Sequence, residues 1–345
     1  MPDMAGNCDV QQSVSNLRRL LPQVVAASAC NLLLFDLSAV GSFSTIVIGE
    51  LHNSTGPISL DDNMASWLGS VLYICQPVAA LLSGVLTEVL GRKKVMLLIN
   101  MPFLLGWILT CTANSFIMLL LSGIVHGITF GLVEAPMCTY VGEVSQPEIR
   151  GVLGSAGGIF YQLGGLFVLL LGTLTDWRTT AGISTTIPVI TAFILIMVPE
   201  PPIWLLSRGR KKEAQTSLSW LRGWVEPSAV QREYDELVKH YEATKKGIVN
   251  VGFLDESVTN IPENVSNPTP QIVNSHESRT DQVQACDPES LSRMKALFEP
   301  STRRPLMLIV VLMFLITWSG YIALKPFMVT VFDKFKLPLG SHWST

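Results

Sequence analysis

The sequence predicts an all-α polytopic membrane protein. Three observations carry that prediction. The chain has 345 residues, 48% of them hydrophobic and only 15% charged, with a mean hydropathy of +0.40; a soluble domain carries nearer a quarter charged residues. The charge is gathered into a few places, and no Lys or Arg occurs between Leu20 and Gly91. Apolar runs long enough to cross a bilayer recur along the chain, each needing about twenty residues.

The runs fall near 22–48, 66–88, 95–113, 116–140, 152–174, 179–198 and 306–332, about seven spans by this criterion. Gly84, Pro102, Gly127, Gly131 and Pro136 lie inside them, where small residues and prolines are ordinary for membrane helices. Residues 1–21 form a polar amino-terminal segment, and the first apolar run is too long for a signal-peptide core. Arg18 and Arg19 precede the first span, Arg92, Lys93 and Lys94 follow the second, Arg150 follows the fourth, and Arg208, Arg210, Lys211 and Lys212 follow the sixth. The opposite loops hold Glu50, Asp61, Asp62, Asp176 and a lone Arg178. Positive residues stay inside, so the amino terminus is expected in the cytoplasm and the loop 50–65 outside. That loop carries the acceptor pattern Asn53-Ser54-Thr55, a candidate glycosylation site. A second such pattern at Asn264 falls on the cytoplasmic side and is expected to stay bare.

After the sixth span the character changes. Residues 199–305 read as a cytoplasmic linker. Within it, 211–223 and 231–246 have helical spacing, 291–298 is a short candidate helix, and 247–288 is polar and expected to be disordered. Residues 306–332 form the seventh span and 333–345 the end of the chain.

Composition excludes several functions. A net charge of −3 leaves no basic footprint for nucleic acid. The six cysteines include Cys30, Cys75 and Cys138 inside apolar runs, and no pair has metal-ligand spacing, so no metal or cofactor is expected. No nucleophile–base set or phosphate loop is visible, and no enzyme is expected.

The stretch from Thr139 to Gly151 reads as a tight turn whose charges, Glu143 and Arg150, have partners. Asp36, Glu134 and Lys325 sit inside spans, where charge is costly and usually faces a cavity; mutual structural pairing is the competing reading, and Asp36 and Lys325 are a candidate pair across the cavity. His126, mid-fourth span, reads as a packing histidine with its hydrogen bonds satisfied.

Three motifs sharpen the picture. Gly84, Glu88, Gly91, Arg92, Lys93 and Lys94 resemble the G-x-x-x-D-R-x-G-R-R/K signature of the major facilitator superfamily. Tyr140, Glu143, Arg150 and Gly151 match the sugar-porter pattern Y-x-x-E-x-x-x-x-x-x-R-G. Pro199, Glu200, Pro201, Pro202, Ile203, Trp204 and Leu205 resemble P-E-S-P-R-W-L. Together, in this order at span ends, they make the chain resemble the sugar porter family, closest to the insect facilitated trehalose/hexose transporters, over nearly its whole length except 247–288. The resemblance implies a major facilitator fold: a six-helix half over 22–198, a cytoplasmic helical linker, and the first helix of a second half, with the chain ending where an eighth span would begin. It implies plasma-membrane sugar transport by alternating access between two halves built of inverted repeats, most simply facilitated diffusion, with a small sugar and the lipid bilayer as the partners. Glu88, Gly91, Arg92, Glu143, Arg150 and Glu200 are then the gate at the cytoplasmic side. Gln162 stands where the family places a sugar-binding glutamine, and its amide can donate and accept to neighbouring hydroxyls; an interhelical hydrogen bond is the competing reading. The substrate set implied is Gln162, Asp36, Glu134 and Lys325. The chain departs from the family at Gly123, where an Arg is usual, and at Ile316, Thr317 and Ile322, which replace polar sugar contacts. A non-transporting sugar sensor, or a truncated regulatory form, shares the same fold and would be separated by a flux measurement. A seven-helix receptor would need an outside amino terminus, against Arg18 and Arg19.

Overall fold

The computed structural model describes residues 16–52, 54, 56, 58–243, 300–318 and 325–327. They fall into two units, residues 1–238 with 321–345, and residues 239–320.

The first unit is a helical bundle. Its helices are α1 (Asn16–Leu51), α2 (Asp62–Leu90), α3 (Arg92–Cys111), α4 (Phe116–Val144), α5 (Pro147–Leu174), α6 (Trp177–Ser184) and α7 (Thr186–Met197). Among the described residues, six helical stretches are long and apolar enough to cross a membrane, α6 and α7 counting together as the sixth. The first, second, fourth and fifth helices cover the runs expected for them, several reaching a turn or more beyond, while α3 stops at Cys111, two residues short of its run. The added turns carry polar residues that satisfy helix ends. Ser115 accepts from the Met118 N–H (3.4 Å) to start α4, and Asp176 accepts from the Thr179 N–H (3.2 Å) to start α6.

The sixth span is not the single helix that its composition predicts. It breaks at Thr185, between α6 and α7. Pro188 explains the break: it has no N–H to give the Ser184 carbonyl four residues back, and its ring crowds that carbonyl. By contrast α1, α2, α3 and α4 run on through Pro22, Pro77, Pro102 and Pro136.

The most extensive packing pairs α2 with α4 and α1 with α5, while α3 packs on α4, α6 and α7. Small residues set these distances. A Cβ on Gly131 would lie 2.2 Å from the Gln76 carbonyl oxygen, and one on Gly164 would lie 1.9 Å from the Phe35 carbonyl oxygen. Backbones therefore touch directly at both crossings, as small-residue faces of membrane helices allow. If α1–α3 and α4–α7 are two repeats, exchanging them turns the α1–α5 contact into the α4–α2 contact. The two largest interfaces are thus one interface used twice, the pattern expected of internal repeats.

Beyond α7 come α8 (Pro202–Ser207), α9 (Lys211–Leu221), a 3₁₀ turn at Pro227–Val230 and α10 over residues 231–243. Trp204, Leu205, Leu206, Ala214, Leu218, Val230 and Tyr234 form a small apolar core of their own. Arg222 grips Glu233 with Nε at 2.9 Å and Nη2 at 2.5 Å, tying the end of α9 to α10. The expected disordered segment 247–288, the candidate helix 291–298 and Asn264 lie outside the described residues. In the second unit, α11 (Pro300–Trp318) begins six residues ahead of the run expected at 306. A 3₁₀ turn follows at Lys325–Phe327, within the first unit.

Candidate functional site

The turn between α2 and α3 anchors the site. Gly91 closes α2 and opens α3 with φ +99°, a left-handed backbone that favours glycine. A Cβ there would also lie 2.9 Å from the Trp204 ring and 3.0 Å from Glu200 Oε1. Both the conformation and the space require glycine.

Gly91 has no side chain with which to cap α3. Glu200 does it from more than a hundred residues away: Oε2 accepts from the Lys93 N–H (3.1 Å) and Oε1 from the Lys94 N–H (3.3 Å). A carboxylate at a helix amino terminus satisfies orphan donors and suits the helix dipole. Burial raises the Glu200 pKa above its ordinary value, while the two N–H groups and the charges of Lys93 and Lys94 pull it back. The other side of the turn is held from α8. Trp204 Nε1 donates to the Glu88 carbonyl (3.3 Å), and Arg208 Nη2 donates to the carbonyls of Glu88 (2.6 Å) and Val89 (2.9 Å). Tyr140 donates its hydroxyl to the Pro199 carbonyl (2.8 Å). The segment 199–208 therefore clamps the turn by its donors and its acceptors together.

Arg92 is buried at the centre. Its Nη2 and Nε donate to Glu143 Oε1 at 2.8 and 3.1 Å, and Nη2 also reaches Glu88 Oε1 at 3.4 Å. Its side chain is 8% exposed and that of Glu143 18%. The Glu88 side chain is 64% exposed, so Glu143 is the partner that matters.

The charges of the α4–α5 turn have partners, but Glu143 and Arg150 do not pair with each other. Arg150 Nη2 donates to the Ser145 carbonyl at 3.3 Å. Arg150 belongs to the first turn of α5, whereas Glu143 ends α4 and is turned toward α3. The α4–α5 turn is tied instead to α1, where the buried Gln23 accepts from the Gln146 N–H at 2.9 Å.

The residues expected in the substrate path are scattered. Asp36 is 1% exposed and its Oδ1 accepts from Trp107 Nε1 of α3 at 2.9 Å. Gln162 and Glu134 are exposed on α5 and α4, and no hydrogen bond or ion pair links them to Asp36 among the described residues. Lys325 lies in the 3₁₀ turn with its side chain outside the described residues, and the neighbouring Pro326 and Phe327 pack at Gly69 of α2. Asn53 also lies outside the described residues; around it His52 pairs with Asp62 (2.8 Å) and Leu60 N–H bonds the Leu51 carbonyl (2.9 Å). His126 is not satisfied as expected: among the described residues neither ring nitrogen has a partner.

Trp204, Arg208 and Tyr140 are the site members that residue reasoning left out. Trp204 and Tyr140 stood inside the quoted motifs. Arg208 read only as a topology charge, and nothing in the sequence pointed to Gln23.

Comparison with known proteins supplies the family. The model of the family described as "Sugar (and other) transporter" matches residues 23–260. A facilitated trehalose transporter of Apis mellifera ligustica is 30% identical over 229 residues, 66% of this chain and 45% of the relative. One from Bombyx mori is 36% identical over 193 residues, 54% of this chain and 38% of the relative. The chain thus spans about half the length of the curated relatives it matches. Among solved structures, the proton:xylose symporter XylE bound to 6-bromo-6-deoxy-D-glucose superposes with a TM-score of 0.56 at 18% identity, over 70% of this chain and 57% of that one. Its partially occluded inward-open form gives 0.54 at 20% identity, over 68% and 62%. At such identity the structures speak for the fold, that of the major facilitator superfamily.

Proposed function

The chain belongs to the sugar (and other) transporter family, and from that premise we propose that the whole protein carries trehalose or a hexose across the plasma membrane by alternating access. Membership of a transporter family also sets aside the seven-helix receptor. The observation that carries the mechanism is the buried Arg92–Glu143 pair, linked to the clamp of Glu200, Trp204 and Arg208 on one turn. Such a cluster is well formed in one closed arrangement and has two partners to lose when helices part. A conformational balance of a few kcal/mol is set by groups of this kind.

In this reading the Arg92 end faces the cytoplasm, as does the amino terminus, and the loop bearing Asn53 faces outward. Residues 22–198 form the amino-terminal half, 199–305 the linker, and 306–332 the first helix of the second half. Glu88, Gly91, Arg92, Glu143 and Glu200 make the gate, while Arg150 supports the α4–α5 turn from its carbonyl contact. Gln162, exposed on α5, offers its amide to sugar hydroxyls, and Glu134 and Lys325 border the path. Asp36 acts through the position of Trp107. The similarity to facilitated trehalose transporters supports facilitated diffusion of trehalose.

Uptake of radiolabelled trehalose and glucose by oocytes expressing the full-length protein tests this. Saturable uptake that persists with a protonophore is expected, with a raised apparent KM for Gln162→Ala at equal surface expression. Surface-expressed protein without flux would overturn the transport reading.

A further inference from the structure

At the end of the bundle that carries the α2–α3 turn, three arginines meet: Arg18 and Arg19 of α1, and Arg222 at the end of α9. Gln146 organises them. Gln23 accepts its N–H at 2.9 Å and donates to the Arg19 carbonyl at 3.3 Å, which fixes the α4–α5 turn against α1. Facing two guanidiniums, the Gln146 amide turns its oxygen to Arg19 Nη2 (3.1 Å) and Nε (3.3 Å) and to Arg222 Nε (3.3 Å). Arg222 also has a carboxylate, that of Glu233, at 2.9 Å from Nε. Arg19 has no carboxylate partner among the described residues; its acceptor is the neutral amide. A guanidinium has five N–H donors, and Arg19 is exposed, so the remainder stay open to an incoming acceptor.

The chain after α9 lies against the same corner. A Cβ on Gly223 would lie 2.8 Å from the Arg18 carbonyl oxygen and 3.5 Å from Arg18 Cγ. Gly223 has φ +104° and Trp224 φ +55°. The left-handed region is costly for a bulky residue, and here it leaves the Trp224 indole 46% exposed, edge-on to Trp220 at 5.6 Å. Beyond Ile203 no other large apolar side chain of the described linker is exposed. Arg18, Leu21 and Val25 recur at helical spacing and share one face of α1. Leu21, Val24 and Val25 are exposed and lie in the first turns of the membrane-spanning stretch Arg18–Leu51. Exposed arginines, an exposed indole and exposed aliphatic carbon thus stand side by side where a span enters the bilayer. Tryptophan rings and basic residues gather at that depth in membrane proteins.

We propose that this corner holds an acidic phospholipid of the adjoining leaflet, its phosphate on Arg19 with Arg18 beside it, its acyl chains along Leu21, Val24 and Val25, and Trp224 at the level of the glycerol. Charge selects the lipid. Guanidiniums suit phosphate oxygens, to which they give two parallel N–H bonds. A choline headgroup brings its own cation to a corner already in excess of positive charge, whereas a serine headgroup leaves a net negative charge for the arginines to meet. A soluble phosphate would leave the aliphatic face and the indole uncovered. The proposal does not rest on the transport reading; it needs only that α1 spans a membrane.

Tryptophan quenching on the full chain in phosphatidylcholine nanodiscs tests it. The probes are bromine-labelled phosphatidylserine and bromine-labelled phosphatidylcholine at equal fraction, and the Trp224 signal is the difference between the unaltered chain and Trp224→Phe. The serine lipid should quench Trp224 at a lower fraction than the choline lipid, a preference of roughly fivefold or more, the worth of one basic residue at an acidic surface. Arg19→Gln should cut that preference by roughly fivefold and leave quenching by the choline lipid in place, while Arg19→Lys keeps part of the preference. An indole quenched by neither lipid, equal quenching by the two, or an unaffected Arg19→Gln would overturn the proposal. Loss of the preference on adding inorganic phosphate at constant ionic strength would assign the arginines to a soluble anion and overturn it as well. If Arg19→Gln does not fold, the two-lipid comparison on the unaltered chain still decides.

Discussion

Replacing Arg92 by Leu removes the guanidinium from a pair whose side chains are 8% and 18% exposed and whose shortest contact is 2.8 Å. Glu143 then keeps a buried carboxylate with nothing opposite it, since its second oxygen already has no partner among the described residues. Breaking a buried pair from one side costs about 3–5 kcal/mol. Glu143 retains some exposure and can take up a proton, which places the expected loss near the lower bound, about 3 kcal/mol. Removing both charges, as Arg92→Leu with Glu143→Leu, leaves no orphan and should recover most of that loss. Arg150→Ala is the contrast: it deletes one hydrogen bond to a carbonyl on an exposed residue and should cost about 0.5–1.5 kcal/mol. The assay is reversible SDS-induced unfolding of the purified chain in mixed micelles, for the wild type, both single variants, the double variant and Arg150→Ala. A loss below about 1 kcal/mol for Arg92→Leu, or a double variant no more stable than Arg92→Leu alone, would refute the assignment of Arg92 and Glu143 as one buried unit.

Other outcomes are expected from the same geometry. Gly164→Ala drives a Cβ to within 1.9 Å of the Phe35 carbonyl oxygen, so α1 and α5 must part; a cost of about 1–3 kcal/mol is expected by the same unfolding assay, and an unchanged midpoint would contradict the backbone contact. Burial raises the Glu200 pKa above its ordinary 4.5, so the folded chain holds that proton where the unfolded chain has released it. The linked stability is fully present below the ordinary value and is lost as pH rises through the raised one; the melting temperature of wild type relative to Glu200→Gln should therefore fall as pH rises above the ordinary value, and a relative rise would reverse the sign. Endoglycosidase should shift the protein made in a eukaryotic membrane, and Asn53→Gln should abolish the shift while Asn264→Gln does not; the opposite pattern would invert the proposed orientation.

Long features were legible from residues alone, because a span needs only a sufficient apolar run. Each of the six runs in 22–198 is helical over all but one or two residues, and the run at 306 lies in α11 as far as Trp318. Helix ends were less legible, since polar caps such as Ser115 and Asp176 lie outside the apolar runs. The break at Thr185 was written in Pro188, but four other prolines sit in unbroken helices, so proline alone does not decide. Side-chain partners were the least legible. Glu143 meets Arg92 across 51 positions and Asp36 meets Trp107 across 71. Only the packing of α3 against α1 and α4 selects those partners over nearer ones such as Arg150.

The swapped pairing of α1 with α5 and α2 with α4 has a bearing on how the protein is made. Helices enter the membrane from the ribosome in chain order, yet α1 shares little surface with α2, and α2 little with α3. The first three helices to arrive thus have few finished contacts with one another. Gly131 must be synthesised before α2 gains its closest neighbour, and Gly164 before α1 does. Until α4 and α5 have emerged the nascent chain holds half-built interfaces, and the buried acid Asp36 on the earliest helix waits for α3 to bring its partner Trp107. Assembly of this bundle is therefore a late and collective event, and the insertion machinery must shelter α1 until the fifth helix reaches it.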